Sequence, residues 1–250
     1  MPLSLKISFL IVLLALPSGA LAQNQNCADV DDAGSVYRVC RFDPMKATIR
    51  VFNRDGEGQP LGGFDRLRAH LWQQHLILSF AFNGGMYGPG LGPVGLFIEN
   101  GIQRRPAETA DGWGNFYLKP NGVFFLKNDK AGILETSSFL SRSITPDFAT
   151  QSGPMLVMDG TIHPKFMPDS DSLKIRNGVG VDSDGQVVFA LSQNPVRFYD
   201  MARFFRDRLH AANALYLDGT ISSQAEPMAG RMDHDYPLGP IIGVVEQRPN

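Results

Sequence analysis

Short apolar runs, each closed by a glycine- or proline-rich turn, constrain this 250-residue chain more than any other feature of its sequence. It holds 26 glycines and 17 prolines, about one residue in six against roughly one in eight on average. Such a chain suits a turn-rich domain with shaped loops and not a helical bundle. The run Leu76-Ile77-Leu78-Ser79-Phe80-Ala81-Phe82 is continuous enough for a strand buried on both faces. Residues 83–95 follow with six glycines and two prolines. The backbone there must take unusual angles or approach something closely.

Residues 37–42 and 48–52 alternate apolar and polar side chains on either side of Asp43-Pro44, which predicts a hairpin-like strand pair after a polar tail over 23–34. Phe64, Leu67 and Leu71 recur at helical spacing, with Trp72 broadening the buried stripe. Asn100-Gly101, Asn121-Gly122 and Asp182-Ser183-Asp184-Gly185 predict hairpin turns. Residues 154–158 read as a short strand ending at Asp159-Gly160. Asn194-Pro195 predicts a helix start, the Asn as cap and the Pro in the first turn. Phe198, Met201, Ala202, Phe205 and Leu209 supply that helix's buried stripe. Residues 214–217 and 240–246 read as strands. With no linker or repeat, residues 35–250 form one domain of the mixed α/β class, with a mixed sheet, short hairpins and a few packed helices.

Residues 1–22 are expected to be an export signal. Lys6 precedes the apolar run 7–16, Pro17-Ser18-Gly19 breaks it, and Ala20-Leu21-Ala22 offers a small-x-small cleavage site after Ala22. Ten apolar residues are too few for a membrane span, which needs about twenty, so no span is expected after cleavage. The expected location is the periplasm or the exterior. An oxidising compartment favours a structural disulfide between Cys27 and Cys40, worth about 3 kcal/mol in the chain-entropy model. A catalytic thiol competes with that reading, but no histidine-bearing motif accompanies either cysteine. With 23 Lys+Arg against 25 Asp+Glu, the chain has no general electrostatic hold on nucleic acid, and none is expected as a partner.

Twice the order is helix, buried strand, then a polar loop, ending at Asn83-Gly84-Gly85 and at Asp218-Gly219. Parallel neighbouring strands would bring Asn83 and Asp218 to one cleft. The bland alternative is that both dipeptides only make turns. Four segments occur in order: Phe82-Asn83-Gly84-Gly85-Met86-Tyr87, Ser152-Gly153-Pro154-Met155-Leu156-Val157, Arg176-Asn177-Gly178-Val179-Gly180-Val181, and Leu217-Asp218-Gly219-Thr220-Ile221-Ser222-Ser223. Together these resemble the phosphodiester glycosidase family over residues 35–246. Many members of that family have two glycines where this chain has Thr220 and Ile221. The change removes freedom for positive φ and adds a β-branched bulk near the site.

The resemblance implies an exported hydrolase that cleaves a sugar-1-phosphodiester in envelope or extracellular glycan. A non-catalytic envelope protein that binds glycan or assists polysaccharide assembly is the alternative. Asp218 would act as base for water or as stabiliser of an oxocarbenium-like transition state; its competing role is to cap the loop. The family motif makes Arg176 a phosphate clamp. Asn83 would bond a sugar hydroxyl or phosphate. Gly84, Gly85, Asn177, Gly219, Ser222 and Ser223 would contact substrate, and Asp182 is a second carboxylate candidate, in a sequence that also reads as a turn. The five histidines show no metal-ligand spacing, so no metal or cofactor is expected. A divalent cation such as calcium stays open at Asp169 and Asp171 or at Asp233 and Asp235.

Overall fold

The structure, a computed structural model, describes residues 26–249, and antiparallel pairing governs every sheet among them. The signal segment expected over 1–22 lies outside the described residues. The chain opens with strands β1 (Cys27–Asp32), β2 (Ser35–Phe42) and β3 (Thr48–Phe52), then helix α1 (Phe64–Gln73) and β4 (Leu76–Asn83). Beyond the glycine-rich loop come β5 (Phe97–Glu99), β6 (Ile102–Arg105), β7 (Gly122–Lys127), β8 (Lys130–Glu135), α2 (Thr136–Ser141) and β9 (Phe148–Ser152). Next are β10 (Met155–Met158), β11 (Thr161–Ile162), β12 (Asn177–Asp182), β13 (Val187–Ser192) and α3 (Phe198–Arg203). The chain closes with β14 (Ala211–Tyr216), β15 (Gln224–Glu226), β16 (Arg231–Met232) and β17 (Ile241–Gln247).

These strands form one seven-stranded sheet, β1-β2-β13-β12-β14-β10-β11, and two five-stranded sheets, β16-β15-β4-β17-β3 and β6-β5-β9-β7-β8. The domain is single and its class mixed, but the sheets are antiparallel. The inner faces of all three sheets meet in one core, where Phe42 and Phe189 of the first sheet, Phe80 and Phe82 of the second and Phe97 and Phe124 of the third are buried together. Ring centroids 4.8 to 5.3 Å apart link Phe42 to Phe80 and Phe189 to Phe80 and Phe82. The outer faces are covered by helices: α3 residues Met201 and Ala202 on the first sheet, α1 residues Phe64, Leu67 and Leu71 on the second, and Phe139 of α2 on the third.

The run in β4 serves two faces because of a bulge. Val244 of β17 pairs with Phe80 and Val245 with Leu78, so Ser79 is the extra residue, and its hydroxyl donates to the Val244 carbonyl. An extra residue reverses the alternation. Leu76 and Leu78 therefore face α1, while Phe80 and Phe82 face the central core.

Several expectations are corrected by tertiary pairing. Residues 37–42 and 48–52 are strands, but not a hairpin: β2 lies between β1 and β13, and β3 pairs with β17. The polar tail contains a strand, β1, held along its whole length on β2. Cys27 and Cys40 are partners in that pairing and form the expected disulfide. Hairpins occur at Asn100-Gly101 and over 182–187, whereas Asn121-Gly122 opens β7, whose hairpin to β8 turns at Asn128 and Asp129. Helix α3 starts after Arg197, three residues later than expected. Asn194 instead accepts from the Val36 amide and donates to Ser35, tying the loop to β2. Trp72 does not broaden the buried stripe of α1; it is 58% exposed, with the Arg248 guanidinium 4.3 Å from its ring centroid.

Candidate active site

The C-terminal end of β4, the start of β12 and the loop after β14 meet at one side chain. The Asn83 amide donates to the Asp218 carbonyl at 3.0 Å. Its oxygen accepts from the Asn177 side chain at 2.6 Å and from the Ser223 amide at 3.0 Å. Asn83 and Asn177 are fully buried, and a buried amide with most of its capacity satisfied fixes its surroundings. Asn83 and Asp218 are therefore brought together, but not by parallel neighbouring strands. Strands β4 and β14 lie in different sheets, and the polar side chain between them does the joining.

The third sheet reaches the same place through the glycine-rich loop. A Cβ on Gly85 would stand 2.3 Å from the Gln151 carbonyl oxygen and 2.7 Å from Thr150 Oγ1, so only glycine lets this backbone lie against β9. The loop returns on itself as Tyr87 bridges to Pro93 and Val94 donates to the Met86 carbonyl. At its tip Gly90 takes a φ of 71°.

Asp218 is half-buried. One carboxylate oxygen accepts from the Thr220 amide at 3.3 Å; the other makes no hydrogen bond among the described residues. Burial raises its carboxyl above the usual range, and the Thr220 bond offsets part of that rise. Burial also raises the Tyr87 phenol, with the charge of Asp218 adding to the effect. Tyr87 donates to the Pro237 carbonyl at 2.6 Å, and its side chain packs against Gly239.

Arg176 is buried, 2% exposed. Its Nε donates to the Val196 carbonyl at 2.9 Å, and one Nη donates to the Ser172 carbonyl and hydroxyl. The guanidinium carbon sits 3.6 Å from the Phe198 ring centroid. Burial lowers its pKa, and the nearby Tyr216 hydroxyl opposes that fall. That hydroxyl in turn accepts from the Gly219 amide at 3.0 Å. Arg176 thus stacks on Phe198, whose ring meets edge-on, at 4.8 Å, that of Tyr216, a residue that sequence reasoning takes for a strand core position. Its only sequence signal is its place two residues before Asp218.

The other expected residues divide into two groups. Ser222 donates to the Gly219 carbonyl and Ser223 to the Ile221 carbonyl, so both hydroxyls brace the loop. The Gly84 amide is committed to the Pro240 carbonyl at 2.7 Å. Asp182 stands at the other end of β12 from Asn177, about 16 Å along the strand. It accepts from the amides of Asp184 and Gln186 there, as a hairpin turn residue. Thr220 and Ile221 crowd nothing: residues 218–223 need no positive φ, Thr220 is exposed, and Ile221 packs into the core beneath α1.

Among the described residues, the only three grouped side chains with metal-ligating atoms are Cys27, Cys40 and Glu226. The cysteines are joined to each other, and Glu226 is bonded twice by Arg38, at 2.8 and 2.6 Å. Asp233 accepts from Arg231 and from the Gln224 amide. A cleft of about 740 Å³ lined by Arg41, Lys46 and Glu246 lies at the opposite end of β4 and contains none of the site residues. No helix among the described residues is long and apolar enough to cross a membrane.

Residues 78–240, which contain all four motifs, match the phosphodiester glycosidase family. The chain belongs to that family. It is 39% identical over 221 residues to the uncharacterized protein YigE of Escherichia coli strain K12, covering 88% of this chain and 85% of that one. The fold is similar to the catalytic domain of zebrafish N-acetylglucosamine-1-phosphodiester alpha-N-acetylglucosaminidase, auto-inhibited by its pro-peptide. The TM-score is 0.60 at 16% identity, over 87% of this chain and 81% of that one. A hypothetical protein from Synechocystis aligns with a TM-score of 0.54 at 14% identity, over 88% of this chain and 61% of that one.

Proposed function

We propose that this family member is an exported hydrolase that cleaves the bond between a sugar anomeric carbon and the oxygen of a phosphodiester in envelope or extracellular glycan. The observation that carries this reading is the convergence of Asn83, Asn177 and the Asp218 loop at one point, with a carboxylate oxygen of Asp218 left uncommitted. The disulfide between Cys27 and Cys40 supports export.

The leaving group is a phosphate monoester whose second pKa is about 6. It departs at neutral pH without a proton donor, so a second carboxylate acting as general acid is unnecessary. As the anomeric C–O bond breaks, Asp218 takes a proton from water and the water oxygen bonds to the anomeric carbon. The products are a reducing sugar and a phosphomonoester, and Asp218 returns its proton to solvent. A carboxyl raised toward neutrality is a better base than an ordinary aspartate. Asn83 and Asn177 hold the Asp218 backbone in place. Arg176, stacked on Phe198 beside Tyr216, adds positive charge behind the loop.

Purified chain and its Asp218→Asn variant, assayed on a panel of sugar-1-phosphate diesters for released reducing sugar and phosphomonoester, test this reading. Turnover by the parent and a fall of at least a hundredfold in the folded variant are expected. Turnover that survives the substitution overturns the role of Asp218. Glycan binding with no turnover of any diester would point to a binding protein.

A further inference from the structure

A cleft of about 550 Å³ opens against the returning arm of the glycine-rich loop that follows Asn83. One wall is Gly92 and Pro93, on the returning arm of the loop whose outgoing arm carries Tyr87. The other walls come from Asn53 and Arg54, just after β3, and from Arg104 and Arg105 on β6. Three guanidiniums therefore line one concavity.

Their arrangement has an identifiable cause. Phe97 of β5 pairs with Arg105 and Ile98 with Gln103, leaving Arg104 as the extra residue of a bulge. A bulge breaks the alternation of side chains along a strand, which lets the consecutive residues Arg104 and Arg105 both line the same cleft. Arg54 is held in advance, donating to the Gly58 carbonyl at 2.9 Å and to the Gly90 carbonyl at 3.2 Å.

Two carboxyls also line the cleft. Asp55 accepts from the Glu57 and Gln59 amides and pairs with Arg66 at 3.4 Å. Burial raises the Glu99 carboxyl, against the charge of Arg104. Among the described residues, none of the three guanidiniums has a carboxylate at ion-pairing distance. Like charges gathered in a concavity repel unless an anion joins them, and guanidinium forks fit the oxygens of phosphate.

We propose that the cleft of Arg54, Arg104 and Arg105 is a second anion subsite, taking a phosphate of a neighbouring repeat in a glycan that carries one in each repeat. The polymer's identity rests on the proposed hydrolase reading; the binding of an anionic group does not. Such a subsite would select for a polyanionic chain over a single sugar-phosphate diester, since the two sites would be filled by one molecule.

The test is calorimetric titration of the full chain with an oligosaccharide bearing a phosphodiester in each repeat. It is compared with the uncharged oligosaccharide and with inorganic phosphate. The Arg104→Ser/Arg105→Ser double variant changes two exposed side chains, and its melting temperature checks that it folds. The expected result is binding of the charged oligosaccharide that weakens with added salt and falls at least tenfold in the double variant. Equal affinity of the parent and the folded double variant overturns the subsite, even if the parent turns over diesters. Arginine-dependent binding without turnover of any diester would leave the subsite standing and remove the hydrolase reading. Arginine-dependent binding of inorganic phosphate alone, with no preference for the charged oligosaccharide, would overturn the glycan as its ligand.

Discussion

Asp218 carries its charge where burial disfavours it, and this sets both a pH dependence and a trade-off. Its carboxyl is raised above the usual range, so the folded chain holds that proton more tightly than the unfolded one. The resulting stability is full below the ordinary carboxylate pKa and is lost as pH rises through the raised value. The acid limb of the rate profile should therefore lie above the ordinary aspartate range, and a limb at about 4 would contradict it. Asp218→Asn keeps an acceptor for the Thr220 amide while removing the buried charge. At pH 7 its melting temperature should equal or exceed the parent's; a clear fall would show that the charge itself stabilises the loop. Gly219 makes a second residue-scale prediction. An added Cβ would stand 2.2 Å from the Tyr216 hydroxyl oxygen, so Gly219→Ala should cost about 1–3 kcal/mol of stability by overpacking. Adding Tyr216→Phe should recover part of that loss in denaturant titrations; strictly additive losses would refute the contact as its cause.

The site loop is anchored by the element that follows it. Strand β15 carries Glu226, 1% exposed, into a paired fork with Arg38 of β2. Gln224 of the same strand donates to Glu226 and to Cys40 Sγ. Arg38→Ala would leave a buried charge without its cation and should cost about 3–5 kcal/mol, whereas Arg38→Met with Glu226→Leu should cost much less. Similar losses for both, measured by urea unfolding, would overturn this account. Element existence was legible in sequence wherever periodicity spoke: β4, the β12–β13 hairpin, the α1 stripe and β17 all follow their apolar patterns. Partner choice was not. Residues 37–42 and 48–52 look like a hairpin because they are adjacent in sequence, yet their partners β13 and β17 lie far along the chain. Asn194 looks like a helix cap, and only the distant Val36 and Ser35 explain why it is not one. In the site, motif residues Asn83, Asn177 and Asp218 were legible. Tyr216 was hidden because a buried strand tyrosine reads as core until its hydroxyl is seen against Gly219.

Three sheets share one interior, and the candidate site lies where the ends of interior strands β4, β12 and β9 meet. Asn83 comes from the second sheet and Asn177 from the first. Gly85 rests on Thr150 and Gln151 of the third. No sheet can open without separating at least one pair of site residues. Turnover and far-ultraviolet circular dichroism should therefore be lost at the same urea concentration. Activity that fails well before the fold would show that the loops open on their own. The same convergence bears on how the chain tolerates dissection. No excised lobe would inherit the chemistry, because each holds only a fragment of the side-chain network around Asn83. The backbone amides of Asn83 and Ser223, which extend the β4–β15 pairing into the junction, should then be among the last to trade their protons for deuterium. Their exchange would clock the opening of the whole molecule rather than the breathing of a loop.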